Sequence, residues 1–219
     1  MRLATIRVDG GTAAARIDGD DVLRLPPPDL RTLIAEPDWT TLAEADGPRQ
    51  SLTDTRFDAL TRPPRTFCLG LNYESHIEEL GVETPEYPLL FAKFPEALIG
   101  PNDDIPIPSV SERVDPEAEL AAVIGRPARR IDEKDALDHV AGYTVANDIS
   151  MRDWQTRTRE MLQGKTFEGS SPVGPVLVTP DEVDHALDLV VRCDIDGEPY
   201  QEGRTSDLLF SVANVIAYI

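Results

Sequence analysis

Lysine is nearly absent from this chain. It stands only at Lys93, Lys134 and Lys165, and the other 18 of the 21 basic residues are arginine. Asp and Glu number 40, which leaves a formal charge of −19. An acidic excess of that size excludes nucleic acid and anionic membrane surfaces as main partners. Abundant carboxylates with scarce lysine also fit adaptation to high salt, where self-repulsion is screened. An ordinary acidic protein from an arginine-rich proteome shares that composition, and a halophilic protein is the expectation. Where lysine is this rare, each one is a candidate for a task that arginine cannot perform. Cysteine is scarce too. Cys68 and Cys193 are too few and too far apart for a disulfide framework or a zinc knuckle. Cys68 lies in the apolar run Thr66–Leu71 and is expected to be a buried thiol. No apolar stretch is long enough to span a bilayer, and residues 1–11 lack the apolar segment of a signal peptide. The chain reads as soluble, reduced and cytoplasmic.

What is present is enough for a core. Hydrophobic residues make up 41% of 219, which suits one large domain or a small lobe plus a main domain. Residues 2–8 alternate as a strand, and Asp9-Gly10-Gly11 signals a turn into a small β-meander. Asp29 is placed to cap a short helix through Ala35. Residues 36–65 are polar, end near Pro63-Pro64, and read as a connection. This divides the chain into a small N-terminal lobe at 1–64 and a main domain at 65–219. In the main domain, short strands are expected at Thr66–Leu71, Leu89–Phe94, Glu117–Ile124, Tyr143–Ile149 and Val173–Val178. Helices are expected at Asn72–Leu80, Asp132–His139 and Asp207–Ile219, the last opened by Ser206. A hairpin turns at Asp196-Gly197-Glu198-Pro199. Strands dominate without regular βαβ alternation, so the expected class is α+β, mainly β.

The strand at 117–124 carries the strongest chemical signal. With a period of two, Ala118, Leu120, Ala122 and Ile124 share one face. Glu117 and Glu119 share the other with Ala121 and Val123. Two carboxylates over an apolar stripe repel each other, and desolvation sharpens the repulsion. A bound hard cation such as Mg²⁺, Mn²⁺ or Ca²⁺ relieves both costs. An acidic strand end emerging into water reads equally well from this strand alone. Asp148, at the end of another apolar strand, can complete an open three-carboxylate site; it can equally cap the following helix. His76 and Glu79 share a helical face and form a possible general-base pair, or an incidental pair on a surface helix. Gly164-Lys165-Thr166 resembles the tail of a phosphate loop, but position 159, where that loop needs glycine, is Arg159. Lys165 is better read as a fixed cation facing an anionic substrate.

Together these segments resemble the fumarylacetoacetate hydrolase family. Gly70-Leu71-Asn72-Tyr73-x-x-His76-x-x-Glu79 is similar to its lid motif, and Phe91-x-Lys93 with Gly100-Pro101 to the next block. Glu117-x-Glu119-Leu120 resembles the metal strand. Asn147-Asp148-Ile149-Ser150-x-Arg152-Asp153-x-Gln155 resembles the segment with the third ligand. Gly164-Lys165-x-Phe167 and Thr205-Ser206-Asp207-x-x-Phe210-Ser211 match further blocks. The resemblance runs from about Thr66 to the last residue. It implies a mixed β-sandwich roll, a Mg²⁺ or Mn²⁺ ion (Ca²⁺ in its place) held by Glu117, Glu119 and Asp148, and a homodimer. Tyr73, Arg152 and Gln155 would bind a small 2-oxo acid, and Lys165 with Arg152 would offset its charge. His76, oriented by Glu79, would activate water under a lid at 72–87. The implied activity is hydrolysis of a carbon–carbon bond in an acylpyruvate. Decarboxylation, hydration or isomerisation of a related 2-oxo acid is the alternative, as is an inactive metal-binding fragment. Family members continue past the helix at 207–219, whereas this chain stops at Ala217-Tyr218-Ile219. A missing C-terminal segment is therefore the expectation.

Overall fold

The computed structural model of the protein describes all 219 residues. The first part builds β1 (Arg2–Val8), β2 (Gly11–Asp18), β3 (Asp21–Arg24), α1 (Leu30–Ala35), α2 (Trp39–Ala43) and β4 (Arg49–Ser51). Then come β5 (Thr66–Gly70), α3 (Glu74–Leu80), β6 (Leu89–Lys93), β7 (Leu98–Ile99), β8 (Val114–Asp115), β9 (Ala118–Ile124) and β10 (Val140–Asn147). The last part holds β11 (Ser150–Met151), α4 (Arg152–Gln155), α5 (Leu162–Lys165), β12 (Ser171–Pro172), β13 (Leu177–Val178) and α6 (Pro180–Val183). It ends with the hairpin β14 (Val190–Ile195) and β15 (Glu198–Arg204), and with α7 (Val212–Tyr218).

The main sheet has seven strands in the order β4-β3-β2-β1-β13-β10-β9. All its pairings are antiparallel, and β7 with β12 forms the one parallel pair. The alternating sequence of β1 and β2 folds as its period requires. Asp29 caps α1 by accepting from Thr32 N at 2.6 Å. Residues 1–64 do not stand apart from the rest. Leu3 of β1 faces Leu177 of β13, and one core cluster joins Leu3, Leu30 and Leu33 to Leu98, Ala141, Val173 and Leu177. A polar connection in the sequence marks the path of the chain, not where strands pair. Gly142 makes the junction possible. A Cβ there would lie 2.5 Å from both Val178 O and Leu177 Cδ2, so only glycine lets β10 and β13 lie side by side.

Several boundaries differ from the expected ones for local reasons. The segment 173–178 is not one strand, because Pro175 cannot donate to a ladder; Val173 makes a single bridge to Ala146, and only Leu177–Val178 forms a strand. The C-terminal helix starts at Val212, not Asp207. Its cap is Ser211, whose Oγ accepts from Asn214 N at 3.1 Å, while Thr205–Asp207 form a 3-10 turn. The connector before β10 is likewise a 3-10 helix, Glu133–His139. Cys68 keeps some exposed surface as a residue, with its thiol largely desolvated.

Candidate active site

Strand register assembles the acidic cluster. Ala146 faces Glu119 and Asn147 faces Ala118 across the β9–β10 ladder. Asp148 therefore leaves β10 beside Glu117, and its amide donates to the Glu117 carbonyl at 2.8 Å. The Asn147 side chain fixes the same corner by accepting from Glu117 N at 3.1 Å. The spacing Glu117-x-Glu119 and the strand-terminal Asp148 thus meet at one end of one strand pair.

Three cations surround them. Lys165 Nζ lies 2.6 Å from Glu117 Oε2 and 3.0 Å from Asp148 Oδ2 and is buried. It reaches inward because α5 presses against α4 at Gly164, where a Cβ would sit 2.3 Å from Gln155 N. Arg152 Nη2 is 2.6 Å from both Asp115 Oδ2 and Glu117 Oε1, and its Nη1 donates to Gln155 Oε1 at 2.9 Å. Buried Lys93 places Nζ 2.7 Å from Asp148 Oδ1 and donates to the main-chain carbonyl of Lys165. Lys93, singled out in the sequence only as a rare lysine and as part of the Phe91-x-Lys93 block, and Asp115, not singled out at all, join the site here. The rarity of lysine was the available signal for Lys93, since two of the three lysines end in this cluster. For Asp115, nothing but its nearness to Glu117 in sequence could have pointed to the pairing.

Glu119 stands out in this ring of pairs, because no ion pair or hydrogen bond reaches its carboxyl. Burial, then the charges of Glu117 and Asp148, push it up to about 8, against a pull downward from Lys165. Asp148 Oδ1 is also buried without a hydrogen bond, despite the nearby Lys93 ammonium. As they stand, no three acidic, His or Cys side chains have the arrangement of a closed metal site. Glu117 is drawn onto Arg152 and Lys165, and Asp148 onto the two lysines. The donors nevertheless fit a hard dication. They are all carboxylate oxygens, and the Glu119 carboxyl is unpaired. Burial, then the Asp148 charge, push the Cys68 thiol up to about 12.

The candidate acid–base pair lies elsewhere. His76 Nδ1 is 3.2 Å from Glu79 Oε2 on α3. Both side chains are exposed, and neither touches the acidic cluster. Only Ile77 of α3 is buried. Tyr73, just before the helix, has its phenol pushed up to about 12 by burial, then by the charges of Glu119 and Asp207. Gln155 serves Arg152 on one side and donates to Met161 Sδ at 3.4 Å on the other.

Residues 65–219 match the fumarylacetoacetate hydrolase C-terminal family. The chain belongs to the fumarylacetoacetate hydrolase family. The match begins where the polar connection ends. Over 162 residues the chain is 43% identical to the mitochondrial oxaloacetate tautomerase FAHD2A of Homo sapiens, a match covering 73% of this chain and 52% of the relative. A fumarylacetoacetate hydrolase domain-containing protein 2 homolog from Dictyostelium discoideum is 39% identical over 181 residues, covering 78% of this chain and 59% of its own. The chain spans about half the length of the curated relatives it matches. Among solved structures, the fumarylacetoacetate hydrolase of Exiguobacterium antarcticum superposes with a TM-score of 0.87 at 29% identity. That superposition covers 100% of this chain and 80% of the other. The 2-hydroxyhepta-2,4-diene-1,7-dioate isomerase of Mycobacterium marinum gives 0.80 at 31%, with the same coverage. The fold is therefore the α+β, mainly β architecture of this family. Its named members include a hydrolase, an isomerase and tautomerases. No helix is long and apolar enough to cross a membrane.

Proposed function

We propose that this chain enolises a small 2-oxo dicarboxylic acid, with keto–enol tautomerisation of an oxaloacetate-like substrate as its principal reaction. The observation that carries this reading is the unpaired Glu119 carboxyl beside Glu117 and Asp148, ringed by Lys165, Arg152 and Lys93. Glu117, Glu119 and Asp148 would hold a Mg²⁺ or Mn²⁺ ion, which would supply Lewis-acid stabilisation of charge developing on the keto oxygen. Lys165 Nζ sets a fixed positive charge at the same place, in a buried setting where it acts strongly. Arg152, held on Asp115, Glu117 and Gln155, presents its remaining donor capacity to a substrate carboxylate. His76 is held through Nδ1 by Glu79. With the segment at 72–87 closed over the carboxylates, its other ring nitrogen, Nε2, would take the proton from the carbon next to the keto group and return it to oxygen. The similarity to tautomerases over 73% of the chain supports this choice of reaction.

Hydrolytic cleavage of an acylpyruvate is the second reading, favoured by the same His76–Glu79 pair, since Nε2 can instead take a proton from water. Its support is the likeness to a fumarylacetoacetate hydrolase structure. The two separate in one assay. Purified protein with Mg²⁺ is given oxaloacetate, with keto–enol equilibration followed by ultraviolet absorbance, and in parallel an acylpyruvate, with release of pyruvate measured. Accelerated equilibration without pyruvate release is the expected result. Pyruvate release at a comparable kcat/KM would make the hydrolase reading the right one. Neither activity, with metal bound, would remove both.

A further inference from the structure

The Thr205-Ser206-Asp207 motif contributes nothing to the acidic cluster, and its contacts run to the segment that carries His76. Asp207 Oδ2 accepts from Ser75 twice, from the amide at 3.1 Å and from Oγ at 2.5 Å, across 132 residues of sequence. Next to it, Leu209 N donates to Asn72 O at 2.9 Å, Phe210 N to Asn72 Oδ1 at 2.9 Å, and Asn72 Nδ2 to Phe210 O at 3.1 Å. Tyr73 bridges to Leu208. Residues 72, 73 and 75 are thus stitched to 207–210. The stitching segment is itself fixed, because buried Thr205 donates through Oγ1 to Ala186 O at 2.6 Å and accepts from Leu189 N at 2.8 Å.

Helix α3 has little else to hold it. It spans seven residues, too few to persist alone, and buries only Ile77. Tyr73, in its capping position, makes no side-chain cap. The first turn leaves free amides that want an acceptor, and negative charge is favourable there. Asp207 supplies both from a distant part of the chain.

We propose that Asp207 is a positioning residue: by capping the first turn of α3 across the chain, it fixes the helix that carries the His76–Glu79 pair and so sets where that pair is presented to substrate. Asp207 touches no reacting atom and acts only through the helix. The proposal rests on the reading of His76 as the group that moves a proton.

The test uses the full chain with Asp207→Ala and Asp207→Asn, the latter keeping an acceptor oxygen. Deuterium exchange at amides 75–78 should rise roughly fivefold or more in Asp207→Ala, the scale of a lost helix cap. In the Mg²⁺-dependent reaction, kcat should fall by a similar roughly fivefold factor while KM stays near the wild-type value. Asp207→Asn should restore most of that loss. Asp207→Ala placed on His76→Ala should cost nothing further, since the group it positions is gone. Unchanged exchange, an equal loss in the Ala and Asn variants, or a full additional loss on top of His76→Ala would each overturn the proposal. If the wild type turns over no 2-oxo acid, the functional reading falls, and the positioning claim with it; exchange then decides the stitch alone.

Discussion

The two halves of the shared sheet are built on opposite terms. In β1 and β2, Leu3, Ala4, Ile6, Ala14 and Ala15 are fully enclosed, and Leu23, Leu30 and Leu33 join them without exposed surface. In β9, at the other edge of the same sheet, no residue is fully buried. The third core cluster, beneath β9 and β10, has only Val140, Tyr143 and Ala186 at its centre. Alongside the apolar Phe91, Ile149 and Met151, that end buries three charged side chains, Lys93, Asp148 and Lys165. Apolar burial is the main favourable term in folding, whereas buried ions at best offset their own desolvation. The difference teaches a division of labour. The N-terminal half holds the sheet together, and the acidic half carries groups that a stable fold alone would not select.

That division predicts opposite responses to substitution. The largest effect falls on the site. Glu119→Gln should weaken Mg²⁺ binding by more than the roughly 10–100-fold that changes outside a ligand shell cost. With a chelator present the variant should melt at or above the wild-type temperature, because an unpaired carboxyl has left a desolvated position. Calorimetric titration and melting curves check the two arms. A variant that binds Mg²⁺ like the wild type would remove Glu119 from the ligand set. The next effect is catalytic. His76→Ala should lower kcat by roughly 10²–10⁴-fold, the range of a lost general base. Its stability should hold, since the side chain is exposed and pairs only with Glu79. Near-full turnover at saturating substrate would make His76 a surface residue.

The N-terminal half should behave in reverse. Leu33 is fully buried in the largest cluster. Leu33→Ala should cost about 2–5 kcal/mol of unfolding free energy through lost transfer energy and a residual cavity. Mg²⁺ affinity, measured well below the melting temperature, should not change. A parallel loss of affinity would show that the two halves are one mechanical unit.

How much of this could be read from the residues divides along the same line. The period-two pattern of β1 and β2, the Asp29 cap and the Glu117-x-Glu119 spacing are local, and each stands where the sequence puts it. The pairing of β1 with β13 is not local, and no pattern in residues 2–8 points to residues 177–178. The start of α7 is ambiguous in the sequence, because Ser206 and Ser211 are equally good caps on paper. Thr205 and Asp207 are engaged by Ala186, Leu189 and Ser75, which leaves Ser211 for the helix. The placement of Lys93 and Asp115 in the site was not legible, because their partners come from other elements. The i,i+3 spacing of His76 and Glu79 was legible, but their exposure and their separation from the carboxylates were not.

The smallest expected effect concerns the seam between the halves, and it has a definite pH signature. Asp58 lies between Arg7 of β1 and Arg62. Its Oδ1 accepts from Arg7 Nη2 at 3.1 Å and Arg62 Nη2 at 2.9 Å, and its Oδ2 accepts from Arg62 Nη1 at 3.2 Å. Arg7 also reaches Asp103 Oδ2 at 2.5 Å, so the cluster ties the N-terminal strands to the loop after β7. Burial alone would raise the Asp58 carboxyl, but hydrogen bonds from Arg62, the Ala59 amide and Arg7 outweigh it and hold the group at about 2. The folded value lies below the ordinary one of 3.8. The stabilisation is therefore fully present above about pH 4 and is lost as pH falls through about 2. Its size is on the order of 2 kcal/mol, from the conversion of about 1.4 kcal/mol per unit. Asp58→Asn should lower the urea midpoint at pH 7 without touching Mg²⁺ affinity. The gap between variant and wild type should narrow as the buffer is taken from pH 4 toward pH 2, since the wild type loses the same charge there. A gap that stays constant down to pH 2 would mean that Asp58 holds the seam by shape and neutral hydrogen bonds, and that its charge does not join the two halves.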